Sequence, residues 1–152
     1  YYTRARAYVA RGNLDGGEAD AKKAVEVSPD SAWAWIYLGR LHLAMRKPED
    51  ALREMDAALA IDPDTIVVRG PRSVALAMLG RDEEALDEAD RALEGSSELY
   101  QPFAGRGLAH MHQGRIEEAL ADFAAFESAA EKADLLSKLV AGWKQEALQR
   151  ER

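Results

Sequence analysis

The sequence predicts an all-α protein, an α-solenoid of about four helical hairpins followed by one further helix. Three observations support this fold class: a helix-rich composition, an interval of 34 residues that recurs along the chain, and apolar residues spaced as on one helix face. Alanine, leucine, glutamate and arginine are abundant, and all four are good helix formers. The length of 152 residues suits one compact domain or one short repeat array.

The 34-residue interval is visible in several columns of the sequence, beginning with Pro29 and Pro63. Further columns at this interval contain small residues, leucines or acidic pairs: Gly12, Arg46, Gly80 and Gly114; Gly17, Ala51, Ala85 and Ala119; Leu52, Leu86 and Leu120; Ala24, Ala58, Ala92 and Phe126; and Glu49-Asp50, Glu83-Glu84 and Glu117-Glu118. An internal period of this length is typical of a repeat architecture, so each unit is predicted to be a pair of helices.

The period and the capping residues together predict nine helices. Their predicted bounds are Tyr1–Arg11, Leu14–Val27, Ala32–Met45, Pro48–Ile61, Ile66–Leu79, Asp82–Glu94, Tyr100–Gln113, Ile116–Glu127 and about Ala130–Gln149. The acidic pairs lie in the first turn of each second helix, where the helix dipole favours negative charge. Pro48 suits a first turn because its missing N–H would have no partner there. Asp30 or Ser31 can cap the helix that follows Pro29.

The helices of the second unit are predicted to pack closely. Four residues share one face of its first helix through their i, i+3, i+4, i+7 spacing: Trp35, Leu38, Gly39 and His42. Small residues at Gly39, Ala51 and Ala58 would let the two helices approach, while Met55, together with the Trp and Leu of that face, would fill the space between them.

One segment conflicts with this scheme. Gly70-Pro71 falls inside the expected first helix of the third unit, where a proline removes a backbone hydrogen bond and clashes with the preceding turn. Two local structures would resolve the conflict. The helix is kinked there, or it begins late and Ile66-Val67-Val68 is extended.

The second unit resembles a tetratricopeptide repeat. It has Trp35, Leu38-Gly39, Ala51, Ala58 and Pro63 at the offsets of that family, with His42 and Met55 in place of two aromatic residues. The fourth unit matches through Phe103, Gly107, Gly114, Ala119 and Phe123. The first keeps Tyr1, Tyr8, Gly12, Ala24 and Pro29, whereas the third has Arg69 and Ser73 where Trp and Gly would stand.

This resemblance covers nearly all of residues 1–128 and implies repeats at about 1–29 (incomplete), 30–63, 64–97 and 98–128. Residues 129–152 fit no repeat. An apolar stripe predicts that they form a helix that caps the last hydrophobic face, as repeat arrays require: Ala133, Leu136, Val140, Trp143 and Ala147.

The resemblance further implies a partial superhelix whose first helices line a concave groove. Twelve residues are predicted to line that groove: Tyr2, Arg6, Trp33, Ile36, Arg40, Leu43, Val67, Val74, Met78, Gln101, Leu108 and His112. Because this stripe is mainly apolar, we expect it to bind a peptide or an amphipathic helix of a partner protein. Arg6 and Arg40 would meet an acidic or carboxylate group of that partner. Alternatively, neighbouring repeats or the final helix cover much of the stripe.

A chaperone-tail clamp of the kind found in this family is not expected. Such clamps use lysines, asparagines and an arginine, but the corresponding positions here hold Tyr2, Arg6, Arg40, Val67 and Pro71. Only two of these residues are basic, and none is asparagine.

An enzymatic function is not predicted. The sequence contains no phosphate-binding glycine loop, nucleophile elbow or metalloprotease motif, so no catalytic, cofactor or metal residue is assigned. His42 and His110 share a repeat column with Tyr8 and are interpreted as interior residues, and His112 points to a different side from His110. The many carboxylates of the second helices are interpreted as exposed, solubilising charge.

Three further functions stay open at this stage. The first is a self-associating scaffold whose apolar edge is formed by Tyr1, Tyr2 and Tyr8. The second is a regulatory domain of a larger enzyme, and the third is a receptor for a small apolar ligand between helices. The chain begins inside a helical pattern without a methionine, so we expect it to be a piece of a longer protein.

The charge pattern narrows the choice of partners. A net charge of −7 disfavours nucleic acid. The acidic segment from Arg81 to Glu94 is interpreted as a solvated helix face, with an acidic docking surface for a basic partner as the alternative.

The absence of cysteine excludes disulfides and thiolate chemistry. No stretch is apolar enough to insert into a membrane, and a cytoplasmic location is favoured.

Overall fold

The computed structural model describes residues 1–130 and 134–151, and all regular structure within these ranges is helical. The α-helices are α1 (Tyr2–Ala10), α2 (Leu14–Val27), α3 (Ala32–Ala44), α4 (Pro48–Ile61), α5 (Arg69–Met78), α6 (Asp82–Gly95), α7 (Gln101–His112), α8 (Ile116–Ala129) and α9 (Ser137–Glu151). The predicted all-α fold is confirmed, and most helix bounds agree with the prediction to within two residues.

The helices form four hairpins, which we number in chain order: α1 with α2, α3 with α4, α5 with α6, and α7 with α8. The chain divides into two compact units, each of which contains two of these hairpins. The first unit, Tyr1–Thr65, contains the first and second hairpins, and the second unit, Ile66–Arg152, contains the other two and α9.

Every hairpin turns at a residue with a left-handed backbone. The values of φ are 79° at Gly12, 59° at Arg46, 77° at Gly80 and 75° at Gly114. In the first turn the N–H of Asn13 donates back to the Tyr8 carbonyl at 2.9 Å, which closes the helix end in a Schellman motif. Of the columns at the 34-residue interval, the one that contains these four residues therefore marks the hairpin turns.

The second hairpin packs as its small residues predict. A Cβ atom at Gly39 would lie 2.6 Å from the Met55 methyl group, so a larger residue there would require the Met55 side chain to move. Ala51, Met55 and Ala58 are fully buried. The Ser31 side chain caps α3 by accepting a hydrogen bond from the Ala34 N–H at 3.4 Å, and Pro48 occupies the first turn of α4.

The third hairpin resolves the conflict at Gly70-Pro71. Helix α5 begins late, at Arg69, so Pro71 lies in its first turn, where backbone N–H groups have no partner within the helix. The preceding segment, Ile66–Val68, is a 3₁₀ helix. The expectation of extended backbone there is wrong, because a tight helical turn leads directly into α5 and buries Val68.

The close contact of α5 with α7 explains the small residues of both helices. A Cβ atom at Gly70 would lie 2.9 Å from the Pro102 ring. At Gly105 it would lie 2.7 Å from the Ser73 carbonyl carbon. The Ser73 hydroxyl donates to the Gly70 carbonyl at 2.6 Å, so a serine fits where the family has glycine.

The last helix begins later than predicted. Residue Ala133 lies outside the described residues. Helix α9 starts at Ser137, after Asp134 and a turn. The other four residues of the predicted stripe are buried: Leu136, Val140, Trp143 and Ala147. Trp143 packs near Phe123 of α8, with 6.4 Å between the ring centres.

The interpretation of the second-helix carboxylates as exposed is wrong for one column. Asp20, Glu54, Glu88 and Asp122 repeat at 34 residues and are only 5–8% exposed. Each faces a basic side chain on the first helix of its own hairpin: Arg4 for Asp20, His42 for Glu54, Arg69 and Arg72 for Glu88, and Arg106 for Asp122. Burial is tolerated because the opposite charge and its hydrogen bonds replace water.

Candidate functional site

The predicted groove residues of the first unit differ in accessibility. Tyr2 and Trp33 are exposed, at 46% and 65% of their surface, and Arg6 is exposed as well. Arg40 is half-buried. Ile36 and Leu43 are buried, although they lie on the same helix as Trp33. A ligand can therefore reach only part of the predicted stripe in this unit.

The second unit shows the same division. Val74 and Leu108 are buried, and Val67, Met78 and Gln101 are half-buried. His112 is exposed, with its Nδ1 atom 2.8 Å from a carboxylate oxygen of Asp82. The alternative interpretation, that neighbouring elements cover much of the stripe, describes Val74 and Leu108.

The structure places Tyr2 and Trp33 in one pocket of about 450 Å³, which we call the aromatic pocket. Six further residues line it: Tyr1, Ala24, Val27, Ser28, Ser31 and Ala34. They come from the start of α1, the end of α2 and the start of α3. Tyr1 and Val27 are 57% and 66% exposed, so four large apolar side chains, including the aromatic pair, face solvent around one concavity.

Local packing holds the walls of the aromatic pocket in place. The Tyr2 ring meets the Tyr37 ring edge to face, with 4.9 Å between centres. The Trp35 indole N–H donates to the Pro29 carbonyl at 2.9 Å, which ties α3 to the segment that follows α2. Burial raises the pKa of the Tyr37 hydroxyl above its ordinary value, so the ring that supports Tyr2 is uncharged well beyond neutral pH.

Two arginines lie against the tyrosines of the aromatic pocket. The Arg4 guanidinium is 5.7 Å from the centre of the Tyr1 ring, and that of Arg6 is 5.8 Å from the centre of the Tyr2 ring. Arg4 also donates to Asp20 at 2.8 Å. Arg6 is exposed, so the pocket has a positively charged group at its edge.

Only three of the eight residues that line this pocket were predicted from the sequence to be functional. Tyr1 and Tyr2 were predicted as an apolar edge and Trp33 as a groove residue, and these predictions were separate. Val27 was not assigned at all. Its signal in the sequence is a large aliphatic residue at the end of a helix, immediately before the Ser28-Pro29 turn.

Other kinds of site are not evident in the described parts of the chain. Within residues 1–130 and 134–151, no three His, Asp or Glu side chains are grouped so that they could hold a metal ion. Across the same ranges, none of the helices has both the length and the apolar character needed to cross a bilayer. His42 and His110 are interior residues, as predicted.

Helical hairpins that repeat at a fixed interval and turn on a left-handed residue define an α-helical repeat protein. Comparison with known families identifies the class more narrowly. The sequence profile of the tetratricopeptide repeat matches residues 8–72, and the fold of the remainder agrees with it. The chain has the helical repeat fold of tetratricopeptide repeat proteins.

Solved structures with the same fold include MamA and TTC0263. The chain is 26% identical to MamA of MSR-1, with a TM-score of 0.62 and coverage of 82% of this chain and 72% of the other. It is 20% identical to TTC0263, a thermophilic tetratricopeptide repeat protein of Thermus thermophilus. That match has a TM-score of 0.68 and covers 95% of this chain and 78% of the other, and at this identity it concerns the fold.

A curated relative is DnaJ homolog subfamily C member 3 of Rattus norvegicus, which is 31% identical over 88 residues. The match includes 58% of this chain and spans 18% of the length of that relative. Tetratricopeptide repeat domains generally mediate protein–protein interactions and are typically non-catalytic. The class therefore carries an expectation of a protein partner without specifying which one.

Proposed function

We propose that this chain is a non-catalytic binding module that takes a peptide or helix of a partner protein, with an apolar side chain of that partner in the aromatic pocket. The observation that carries the proposal is the exposure of Trp33 beside Tyr1, Tyr2 and Val27 around one concavity. Tryptophan and tyrosine dominate the energetics of protein interfaces when a partner covers them.

The dimensions of the aromatic pocket support this occupant. A volume of about 450 Å³ exceeds that of one large side chain and leaves room for adjoining backbone. The lining combines apolar rings with the hydroxyls of Ser28 and Ser31, which offer a few polar contacts. Apolar walls with a small number of polar groups are the usual composition of a binding pocket.

Charge adds a second element of recognition. Arg6 is exposed at the edge of the pocket, and a guanidinium forms paired hydrogen bonds with a carboxylate. We therefore expect the preferred partner segment to have an acidic side chain or a terminal carboxylate close to its apolar anchor. Within the second unit, the accessible members of the predicted stripe are proposed as a separate set of contacts: Val67, Met78, Gln101 and His112.

Selection from a random peptide library, followed by calorimetry on the selected peptides, tests the proposal. Trp33→Ala should weaken their binding by at least about tenfold, since truncation of a central aromatic anchor typically costs about 2 kcal/mol or more. Arg6→Glu should weaken the acidic peptides selectively. Ile61→Ala is the matched control, because Ile61 is also an exposed apolar residue, at 39%, but does not line the pocket. Equal affinities for wild type and Trp33→Ala would refute the assignment.

Self-association is the second candidate, since a second copy of the chain could bind to the same exposed apolar side chains and cover them. Sedimentation at increasing concentration separates the two functions. If wild type dimerises and Trp33→Ala stays monomeric, the aromatic pocket serves the dimer. A monomeric wild type that binds selected peptides supports the first candidate alone.

We also propose that α9 acts as a cap on the fourth hairpin. It packs on α8, where the Lys144 ammonium lies 2.8 Å from Glu127, and the Arg150 guanidinium donates to the Met111 carbonyl at 3.3 Å. A chain that ends at residue 130 should bind an apolar fluorescent dye and melt earlier, because Phe123 loses the Trp143 contact. An unchanged melting temperature would contradict the cap.

A further inference from the structure

His42 is buried between two carboxylates that belong to different hairpins. Its imidazole Nδ1 is 2.7 Å from Glu54 on α4, within the second hairpin. Its Nε2 is 2.9 Å from Glu18 on α2, in the first hairpin. The histidine side chain is only 3% exposed, and those of Glu18 and Glu54 are 13% and 10% exposed. One side chain thus bridges α2, α3 and α4.

This arrangement requires an extra proton. A neutral imidazole has one N–H and one lone pair, so it can donate to only one of two ionised carboxylates. Both contacts are satisfied when the ring is doubly protonated, or when Glu54 is protonated and donates to Nδ1. The two alternatives contain the same number of protons, so the bridge depends on one shared proton wherever that proton lies.

The charges around His42 come from both helices that pack on α3 and from the turn after it. Helix α2 contributes Glu18, which also lies 2.9 Å from the Lys22 ammonium. Lys47, in the turn between α3 and α4, reaches Glu18 at 3.2 Å. Helix α4 contributes Glu54, and Asp50 and Arg53 are the neighbouring charges on that helix.

We propose that the protonated bridge of Glu18, His42 and Glu54 is a pH-sensitive link that holds the first hairpin against the second. When the shared proton leaves, the neutral imidazole keeps one donor. That donor stays with the more strongly desolvated Glu54, and the contact to Glu18 is lost. Glu18 is the partner that can do without it, because Lys22 and Lys47 still neutralise its charge.

The direction of the pH dependence follows from the two carboxylates. Although burial opposes the charged ring, hydrogen bonds to Glu54 and Glu18 raise the pKa of His42 above its ordinary value. A raised folded-state pKa contributes stability that is complete below the unfolded value and is lost as pH rises through the folded value. The link is therefore closed in mildly acidic solution and opens towards alkaline pH. Because α2 and α3 both line the aromatic pocket, opening should also weaken peptide binding, a consequence that rests on the proposed function.

An NMR titration of the three histidines tests the link without any ligand. His42 should titrate above the ordinary histidine value in wild type and at a lower pH in Glu18→Gln, which removes one acceptor charge. Thermal unfolding gives the second readout. Between about pH 6 and 8.5 the melting temperature of wild type should fall by about 2–4 °C more than that of Glu18→Gln. A His42 midpoint at or below the ordinary value, or parallel pH profiles for the two proteins, would overturn the proposal.

His42→Tyr is the second variant, since tyrosine occupies the same column at Tyr8 and does not titrate in this range. Its melting temperature should lack the extra decline of wild type, and a decline equal to that of wild type contradicts the link. His110 provides the internal comparison. It shares the repeat column with His42 and is buried in the second unit, where its Nδ1 lies 2.9 Å from Asp122. If neither variant folds, the midpoint of His42 in wild type decides alone.

Discussion

Arg106 and Asp122 form a two-point ion pair inside the fourth hairpin. Nη2 and Nε of the guanidinium lie 2.8 and 3.2 Å from the Asp122 carboxylate, which is 7% exposed. The two residues are 16 positions apart, and the same separation joins Arg4 to Asp20 and Arg72 to Glu88. In the second hairpin Leu38 occupies the arginine column. The histidine bridge thus replaces a motif that the other three hairpins retain.

Asp122→Asn should lower the free energy of unfolding by about 2 kcal/mol, because it leaves Arg106 and His110 facing a neutral amide in a buried site. Urea denaturation measures this difference. Asp90→Asn is the control: Asp90 also contacts Arg106, at 3.1 Å, but its side chain is 56% exposed. We expect Asp90→Asn to lower the free energy of unfolding by less than about 0.5 kcal/mol. Equal effects at the two positions would show that burial does not set the strength of the pair.

Arg46→Gly should stabilise the protein by about 1 kcal/mol. Arg46 is the one hairpin-turn residue of its column that is not glycine, yet its φ is 59°, a conformation that costs a side chain energy. Gly80→Ala should have the opposite effect of similar size, since Gly80 has φ 77° and open space around it. Thermal unfolding of both variants checks the pair. A loss of stability in Arg46→Gly would mean that the arginine side chain outweighs the backbone cost.

Gly105→Ala should destabilise the second unit by about 2–3 kcal/mol, because the new Cβ would lie 2.7 Å from backbone atoms of Ser73 and Val74. Backbone cannot move aside as a flexible side chain can. Gly142→Ala is the matched control on α9, where a Cβ has nothing within 4 Å. There the gain in helix propensity should stabilise by about 0.5–1 kcal/mol. Similar melting temperatures for the two variants would contradict the close approach of α5 and α7.

Stability should decline in acid through Glu18. Hydrogen bonds from Lys22, and then from His42 and Lys47, lower the pKa of its carboxyl to about 2. A lowered folded-state pKa contributes stability that is complete above the ordinary value near 4.5 and is lost as pH falls towards about 2. Allowing for solvent near the lysines, we expect the ionised Glu18 to contribute about 1–2 kcal/mol to the free energy of unfolding.

Urea denaturation at a series of pH values between 6 and about 2.5 measures this acid decline. Glu18→Gln should lose less stability than wild type over that range. Glu49→Gln, which changes an exposed carboxylate in the first turn of α4, should follow wild type. An acid profile of Glu18→Gln that coincides with that of wild type would show that the three-way contact with Glu18 does not contribute to folding.

Much of the fold could be predicted from the sequence because its signals are local. The close approach of α3 and α4 was predicted from Gly39, Ala51 and Ala58, and the left-handed turns at Gly12, Gly80 and Gly114 lie in one column of the 34-residue interval. The start of α5 could be narrowed only to two possibilities, a kinked helix or a late start after extended backbone. The helix does start late, but the segment before it is a 3₁₀ helix that buries Val68, and that burial depends on tertiary contacts.

The candidate site could be predicted only in part. Trp33 and Ile36 lie three residues apart on the same helix and are both apolar, yet one is 65% exposed and the other 2%. No pattern within α3 distinguishes them. Val27 joins the aromatic pocket from α2, and that contact depends on how the first hairpin meets the start of α3.

The sequence by itself determined the helices, their turns and their pairing into hairpins, because helix propensity, capping and φ preference act over about four residues. Only the tertiary structure decided which polar groups are buried and which apolar groups are left open. Glu54 and Glu49 are both carboxylates on α4, but Glu54 faces His42 and Glu49 faces solvent. That difference arises from contacts between residues far apart in the chain, where burial is set by the neighbours that folding brings near.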